Sequence, residues 1–184
     1  MKKIFLIILA VLVVIGLWFF SVYNGLIGAN EKVSGQWAQV ETQYQRRVDL
    51  IPNLVNSVKG VMKQEQVIFT SLALARTKYG GAVTVDDKIK ASNDLEQGLG
   101  RLIAVMENYP QLKSSENVQT LMVQLEGTEN RISVERKNYN DLVRDFNVTI
   151  KRIPTNMVAG ILGYSDKQYF QADKGSEVTP KVEL

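Results

Sequence analysis

The chain opens with a long apolar stretch and then changes to a pattern in which apolar and polar positions alternate with helical spacing. Residues 4–23 (IFLIILAVLVVIGLWFFSVY) carry no charge. As a helix they measure about 30 Å, the thickness of the hydrocarbon core of a bilayer. Aromatic side chains gather at the far end, as in an interfacial belt: Trp18, Phe19, Phe20 and Tyr23. The pattern predicts a transmembrane helix.

A cleaved signal peptide is the alternative interpretation of residues 4–23. The apolar run is longer than the core of a usual signal peptide, and no good small-residue cleavage site follows it. We therefore expect the segment to remain in the mature protein as a membrane anchor that contacts lipid.

Beyond the anchor, apolar residues recur every three or four positions, which is the spacing of one stripe along a helix. The stripe comprises Val33, Trp37, Val40, Tyr44, Val48, Ile51, Leu54, Val58, Val61, Ile68, Leu72, Ala75 and Tyr79. It predicts a long first helix that begins at an Asn30 N-cap and ends at Gly80 and Gly81. Pro52 lies inside it and lacks a backbone donor, so we expect a kink there. Glu65 interrupts the stripe.

Three further helices are predicted by the same periodicity. The second begins near Asp86, where Thr84 and Asp87 have capping-box spacing, and ends before Pro110. The third runs from about residue 115 to residue 153, and a short fourth covers residues 156–162 and is closed by Gly163.

These elements predict an all-α fold with no strong strand run. We expect an N-terminal transmembrane helix followed by an antiparallel up-and-down helical bundle with a long kinked first helix. The predicted division is an anchor over residues 1–28, a bundle over residues 29–163, and an extended C-terminal tail over residues 164–184 that packs on the bundle.

Charge limits both the partners and the orientation. The chain has 22 Lys and Arg against 19 Asp and Glu, a net charge of +3, and Lys2 and Lys3 supply two of these charges. The near-neutral remainder is a poor polyanion surface, so we expect no nucleic-acid partner. The two lysines flank the short side of the anchor, which favours a cytoplasmic N-terminus and a bundle outside.

The residue types needed for common chemistry are missing. The sequence contains no cysteine and no histidine, which removes thiolate chemistry, the commonest general base and the commonest metal ligand. It also lacks Ser-x-x-Lys, Gly-x-x-x-x-Gly-Lys and Gly-x-Gly-x-x-Gly motifs. Glu126, Glu129 and Glu135 have basic neighbours at helix-pair spacing, so we interpret them as an ion-paired face. We expect no enzymatic activity, no cofactor and no metal.

Polar residues beside the apolar stripe form the candidate site. On the first helix they are Arg46, Arg47, Asp49, Asn53 and Asn56, with Asp49, Asn53 and Asn56 spaced i, i+4, i+7. On the third helix they are Glu129, Asn130, Arg131, Arg136, Tyr139, Asn140 and Asn147. One interpretation is a hydrogen-bonded network between the two long helices. The other is a groove in which arginine binds a partner peptide or a lipid headgroup.

Several of these residues lie in a segment that resembles a known family. Residues 41–60 (ETQYQRRVDLIPNLVNSVKG) resemble the signature of the LemA family of bacterial membrane proteins. Further similar blocks are residues 129–147 (ENRISVERKNYNDLVRDFN), 154–159 (PTNMVA) and 180–182 (PKV). One departure is Gln64-Glu65, because family members commonly carry His-Glu there. Any role that depends on that histidine does not apply to this chain.

The resemblance implies an N-terminal membrane helix, an antiparallel helical bundle and no known enzymatic activity. It also implies an N-terminus outside the cell, the reverse of the orientation that the charges favour. We retain the orientation that follows from Lys2 and Lys3.

We expect a single-pass, non-catalytic helical scaffold or interaction protein in the inner (plasma) membrane of the bacterial envelope. Heptad-like apolar positions, as in a coiled coil, favour a homo-oligomer. One alternative is a regulator or sensor subunit of an envelope protease or signalling protein, which requires an envelope protein partner. Another is a membrane-remodelling protein whose amphipathic first helix lies on lipid.

Overall fold

Six α-helices make up nearly all of the part of the chain that the structure, a computed structural model, describes, which is residues 2–170. They are α1 (Lys2–Val58), α2 (Gln66–Gly81), α3 (Val85–Met106), α4 (Pro110–Lys113), α5 (Glu116–Lys151) and α6 (Thr155–Ile161). No β-strand occurs within residues 2–170, which confirms the predicted all-α fold. Of the predicted C-terminal tail, residues 171–184 lie outside the described residues.

The predicted anchor and the first part of the predicted bundle lie on one helix. α1 has 57 residues, so it measures about 85 Å. The predicted N-cap at Asn30 is wrong, because Asn30 lies inside α1. Gly25 and Gly28 weaken a helix by roughly 1 kcal/mol each, but burial of Leu26 and Val33 on the same helix favours its continuation.

The predicted long first helix is wrong in a second respect, because α1 ends at Val58 and does not continue to Gly81. The amides of Val61 and Met62 both donate to the Val58 carbonyl at 3.0 Å, which closes the helix with a tight turn. Met62 is buried and Glu65 immediately precedes α2. Met62 lies four residues after Val58 and is buried, so the apolar spacing continues into the turn although the backbone leaves the helix, whereas Val61 is exposed.

The described helices fall into two compact units. The first unit contains residues 2–40 and 135–169, and the second contains residues 41–134 and Phe170. α1 and α5 each contribute one part to both units. The predicted division into anchor, bundle and tail is a different partition and stays a prediction.

The second unit is an up-and-down bundle of the end of α1, α2, α3 and the start of α5. Lys78 on α2 pairs with Asp94 on α3 at 2.5 Å, as expected for antiparallel neighbours joined by a short turn. Thr84 caps α3 as predicted, because its Oγ1 accepts from the Asp87 amide at 3.1 Å. Its buried apolar residues include Tyr44, Ile51, Leu54, Leu72, Tyr79, Leu95, Leu102, Leu125 and Ile132.

The first unit packs the part of α1 that follows the apolar run against the end of α5 and against α6. Its buried apolar residues are Leu26, Val33, Val40, Tyr139, Val143, Phe146, Ile150, Val158 and Ala159. Each such aliphatic or aromatic side chain contributes about 1.5–3 kcal/mol on full burial. α6 ends at Ile161, and Gly163 follows as the predicted closing glycine, with a φ of 71° in the left-handed region that glycine adopts without strain.

Candidate functional site

The most buried charged side chain of the described residues belongs to the candidate set. Arg47 lies three residues after Tyr44 and four before Ile51, so α1 directs it into the core of the second unit. It is 1% exposed. Its Nη2 donates to Glu129 of α5, and its Nη1 donates to Glu96 of α3 at 3.5 Å. One guanidinium therefore bridges three helices.

Glu96 has a second donor from α1. The hydroxyl of Tyr44 donates to Glu96 Oε1 at 2.7 Å, and the guanidinium carbon of Arg47 lies 5.9 Å from the centre of the Tyr44 ring. Charge-assisted bonds to two carboxylates offset the cost of removing the guanidinium from water. Arg47 Nε has no hydrogen-bond partner among the described residues. The three side chains form what we call the Arg47 cluster: Arg47, Glu96 and Glu129.

The Arg47 cluster is open to water on one side only. The side chain of Glu129 is 56% exposed, whereas that of Glu96 is 14% exposed. Within residues 2–170 no group of three or more acidic side chains is placed to hold a metal ion. The geometry therefore fits a link between helices that keeps one carboxylate at the surface.

The polar stripe on α1 lies on the surface of the helix. Arg46, Asp49, Asn53 and Asn56 are all exposed, although Arg46 is the immediate neighbour of the buried Arg47. Gln45 donates to Asp49 at 2.8 Å, and Asn56 accepts from the Lys59 ammonium at 2.8 Å. Both contacts join residues that are close in the sequence, four and three positions apart. We name these four residues the α1 polar stripe, and its role in docking stays a prediction.

The candidate residues on α5 separate in the same way. Glu129, Asn130 and Arg131 are exposed, Arg136 and Asn140 are half-buried, and Tyr139 and Asn147 are buried. Tyr139 packs edge-on against Trp37 of α1, with ring centres 5.6 Å apart. The structure thus brings Glu129 to the Arg47 cluster and places Tyr139 and Asn147 in the core of the first unit.

Asn147 holds the segment that follows α6. Its Nδ2 donates to the Lys167 carbonyl at 2.9 Å, and its Oδ1 accepts from the Lys167 amide at 2.8 Å. Tyr164 packs edge-on against Phe146 nearby. Burial lowers the pKa of the Lys167 ammonium, and the charge of Glu31 opposes that shift. The start of the predicted tail is therefore fastened to α5 within the first unit.

The apolar side chains at the start of α1 are unburied. Among the described helices, α1 alone is long and apolar enough to cross a membrane, with a mean hydropathy of 3.0 in its most apolar window and none of that window buried. Large apolar side chains are exposed throughout residues 4–20. A water-soluble protein rarely exposes so large a contiguous apolar surface.

Comparison with known proteins decides the family. Residues 36–184 match the LemA family. This chain belongs to the LemA family. The family and the exposed apolar helix together describe a membrane-associated helical protein.

Three curated relatives are similar to this chain over most of its length. Magnetosome protein MamQ 2 of Paramagnetospirillum magneticum is 26% identical over 189 residues, which cover 87% of this chain and 70% of that protein. Magnetosome protein MamQ of Magnetospirillum gryphiswaldense is 24% identical with the same coverage of both chains. Protein LemA of Metamycoplasma hominis is 24% identical over 176 residues, which cover 92% of this chain and 80% of that protein.

In this LemA-family chain, one member of the Arg47 cluster was missed by the sequence analysis. Glu96 follows the buried Leu95 and precedes the buried Leu99 by three residues, so it borders the apolar stripe of α3. That position was a usable signal for a charged group close to the core. Gln36 was also missed, although it donates to Glu135 at 2.6 Å within the first unit.

Proposed function

We propose that this LemA-family protein is a single-pass, non-catalytic scaffold that presents a helical bundle for protein contacts at the bacterial inner (plasma) membrane. The observation that carries the proposal is the composition of α1 (Lys2–Val58). Its first part is apolar and exposed, and its later part supplies the buried core of both units. The same helix can therefore act as the anchor and as the central support of the bundle.

The absence of catalysis is supported by the sequence. A chain without histidine or cysteine lacks the residues that most often act as general base, nucleophile or metal ligand. The buried Arg47 is engaged by two carboxylates and is not free to bind a substrate anion. A structural role explains the Arg47 cluster without a reaction.

Self-association is supported by apolar side chains on the outside of α2. Val67 is 82% exposed and Leu74 is 65% exposed. They are seven residues apart, so they lie on one face, two helical turns from each other. A second copy of the chain would cover this face by the heptad spacing of a coiled coil.

Contact with another envelope protein is the second candidate, and the α1 polar stripe favours it. Within residues 2–170, Asp49 and Asn56 bond to the nearby Gln45 and Lys59, and surface pairs of this kind are exchanged at a cost of less than about 1 kcal/mol. A regulator or sensor subunit would use such a stripe. Two curated relatives are named magnetosome proteins, which supports a role at a membrane compartment.

We propose an N-terminus in the cytoplasm and a bundle on the outer side, because Lys2 and Lys3 flank the short side of the anchor. Remodelling of a membrane by the amphipathic part of α1 is disfavoured. The apolar face that lipid would need is already buried in the protein, for example at Val33 and Val40.

The test is chemical cross-linking of the full-length protein in intact cells, followed by mass spectrometry of the linked products. We expect self-linked product that is lost in Leu74→Glu and kept in Asn53→Arg. A dominant product with one other protein, lost in Asn53→Arg and kept in Leu74→Glu, would replace the scaffold with the regulator. An unlinked protein at native expression would contradict both.

A further inference from the structure

Three exposed apolar side chains follow the end of α5 in the first unit. Ile153, Met157 and Ile161 are 84%, 69% and 75% exposed. Met157 and Ile161 are four residues apart, so they lie on one side of α6, and Ile153 lies in the turn just before this helix. The other side of α6 is buried through Val158 and Ala159. We call Ile153, Met157 and Ile161 the α6 apolar face.

The contacts between α1 and α5 fix the height of this face along α1. In the first unit, Gln36 bonds Glu135 at 2.6 Å, and the rings of Trp37 and Tyr139 are 5.6 Å apart. Antiparallel helices rise equally, by 1.5 Å per residue, so Lys151 at the end of α5 is level with about residues 20–25 of α1. The apolar run of residues 4–23 ends at that level. α6 therefore begins at the predicted boundary between hydrocarbon and headgroups.

A cation lies beside the α6 apolar face. Arg152 is exposed and immediately precedes Ile153. An arginine at this height can extend its guanidinium to lipid phosphates while its methylene groups stay with the apolar side chains. Apolar residues bordered by a basic residue are typical of protein segments that lie at a membrane interface.

We propose that the α6 apolar face inserts into the interfacial region of the same bilayer that α1 crosses. The protein then has a second membrane contact, some 130 residues after the first in the sequence. The inference rests on the anchor in the proposed function, but not on the scaffold or regulator role. Val158 and Ala159 are buried on the other side of α6, which leaves the apolar face directed away from the protein core.

The experiment exploits the absence of cysteine from the sequence. Single cysteines replace Met157, Ile161, Asn138 or Val13 in the full-length protein, which is nitroxide-labelled and reconstituted in phosphatidylcholine–phosphatidylglycerol vesicles. For each label, the collision rate of the nitroxide with oxygen, which concentrates in lipid, is compared with its collision rate with a water-soluble nickel chelate. Asn138 is exposed on α5, about 20 Å from Lys151, and serves as the water-facing control. Val13 reports insertion of the anchor.

We expect labels at 157 and 161 to have an oxygen-to-nickel collision ratio severalfold above that at 138 and below that at 13, because position 13 lies at the centre of the apolar run and the α6 apolar face lies at its edge. Nickel access at 157 equal to that at 138, with position 13 in lipid, overturns the inference and leaves the anchor intact. Protection of 157 from both reagents means that protein covers the face, which also overturns it. Nickel access at 13 overturns the inference together with the anchor of the proposed function.

A second variant separates lipid contact from folding. Ile161→Asp in the Met157→Cys background is expected to lower the collision ratio at 157 severalfold while the helical circular dichroism is unchanged. Asn156→Asp adds the same charge to an exposed position outside the face and is expected to leave the ratio unchanged. An unchanged ratio in Ile161→Asp counts against insertion.

Discussion

Arg47 and Glu129 lie 82 residues apart in the chain, and the guanidinium of Arg47 donates directly to the carboxylate of Glu129. The pair joins α1 to α5 within the second unit and is extended to α3 by Glu96. Since the arginine is buried and Glu129 reaches the surface, the pair links the core to the solvent-facing side of the bundle. Its disruption should affect stability more than any change in the α1 polar stripe.

Arg47→Ala is expected to lower the free energy of unfolding by about 3 kcal/mol, because it removes the guanidinium that pairs with Glu96 and Glu129 and opens a cavity. Arg46→Ala is the matched control. The same residue type is exposed one position earlier, so its loss should cost less than about 0.5 kcal/mol. Denaturant unfolding of the full-length protein in mild detergent, followed by circular dichroism, measures both. Equal effects would contradict a structural role for the cluster.

Asn147→Ala is expected to cost about 2–3 kcal/mol, because the amide and the carbonyl of Lys167 both lose their side-chain partner in a part-buried place. Asn138→Ala removes an exposed asparagine from the same helix and should be nearly neutral. Hydrogen exchange should also show faster exchange in residues 164–169 of the Asn147 variant. Unchanged exchange there would mean that the segment is held by other contacts.

Gly98 and Gly100 offer a matched pair on α3. Ala in place of Gly in a helix contributes about 1 kcal/mol, so Gly100→Ala should stabilise the protein, since no atom lies within 4 Å of its new Cβ. At Gly98 the Cβ would meet Leu72 Cδ1 at 3.2 Å, and Leu72 is fully buried. The gain at Gly98 should therefore be cancelled or reversed. A rise in melting temperature for both variants would mean that α2 moves aside freely.

Tyr79 should make the protein sensitive to alkali. Its phenol is buried, and burial raises its pKa well above the ordinary value, with the charge of Glu41 adding to the shift. Above about pH 10 the unfolded chain releases the Tyr79 proton while the folded chain keeps it. The contribution of Tyr79 to the free energy of unfolding is therefore full below pH 10 and is lost as the pH rises. Between pH 10 and 11 the loss is about 1 kcal/mol.

Tyr79→Phe is expected to remove that part of the alkaline loss in denaturant titrations at pH 10 and 11. At pH 7 the substitution should cost less than about 1 kcal/mol, because the hydroxyl has no hydrogen-bond partner among the described residues. Tyr169→Phe, at an exposed position, should keep the full alkaline loss. If the free energy of unfolding falls equally with pH in the native protein and in Tyr79→Phe, the buried phenol does not cause the alkaline loss.

Helical periodicity predicted most of the fold because buried stripes dictate where helices pack. Thr84 and Gly163 carried enough local chemistry to place the start of α3 and the end of α6. The end of α1 was not predictable in this way, because Met62 keeps the apolar spacing while its backbone turns. The continuation of α1 through Asn30 depends on tertiary packing, which the local sequence does not indicate. A residue that is favourable at an N-cap is also tolerated inside a helix that tertiary packing stabilises.

The candidate site was predicted in part. The polar spacing from Asp49 to Asn56 selected Arg46 as the fourth member of a stripe, and all four are exposed together. Arg47 instead lies on the same face of α1 as the apolar Tyr44 and Ile51, which indicates burial. The spacing alone does not indicate which residues pair with a charged side chain at that position. Glu129 could be named from its helix, whereas Glu96 depended on the arrangement of three helices in space.

Because α1 is unbroken, it also fixes the rotation of the predicted anchor about the helix axis. No turn separates the apolar run from Leu26, so each side of the apolar run has a fixed direction relative to the buried face of residues 26–40. Insertion of one residue after Tyr23 would rotate the apolar run by about 100° relative to the buried face of residues 26–40. Insertion of four residues would nearly restore the original orientation. A partner that binds the folded part of this protein would therefore also fix the direction in which each side of the predicted anchor faces lipids and neighbouring helices.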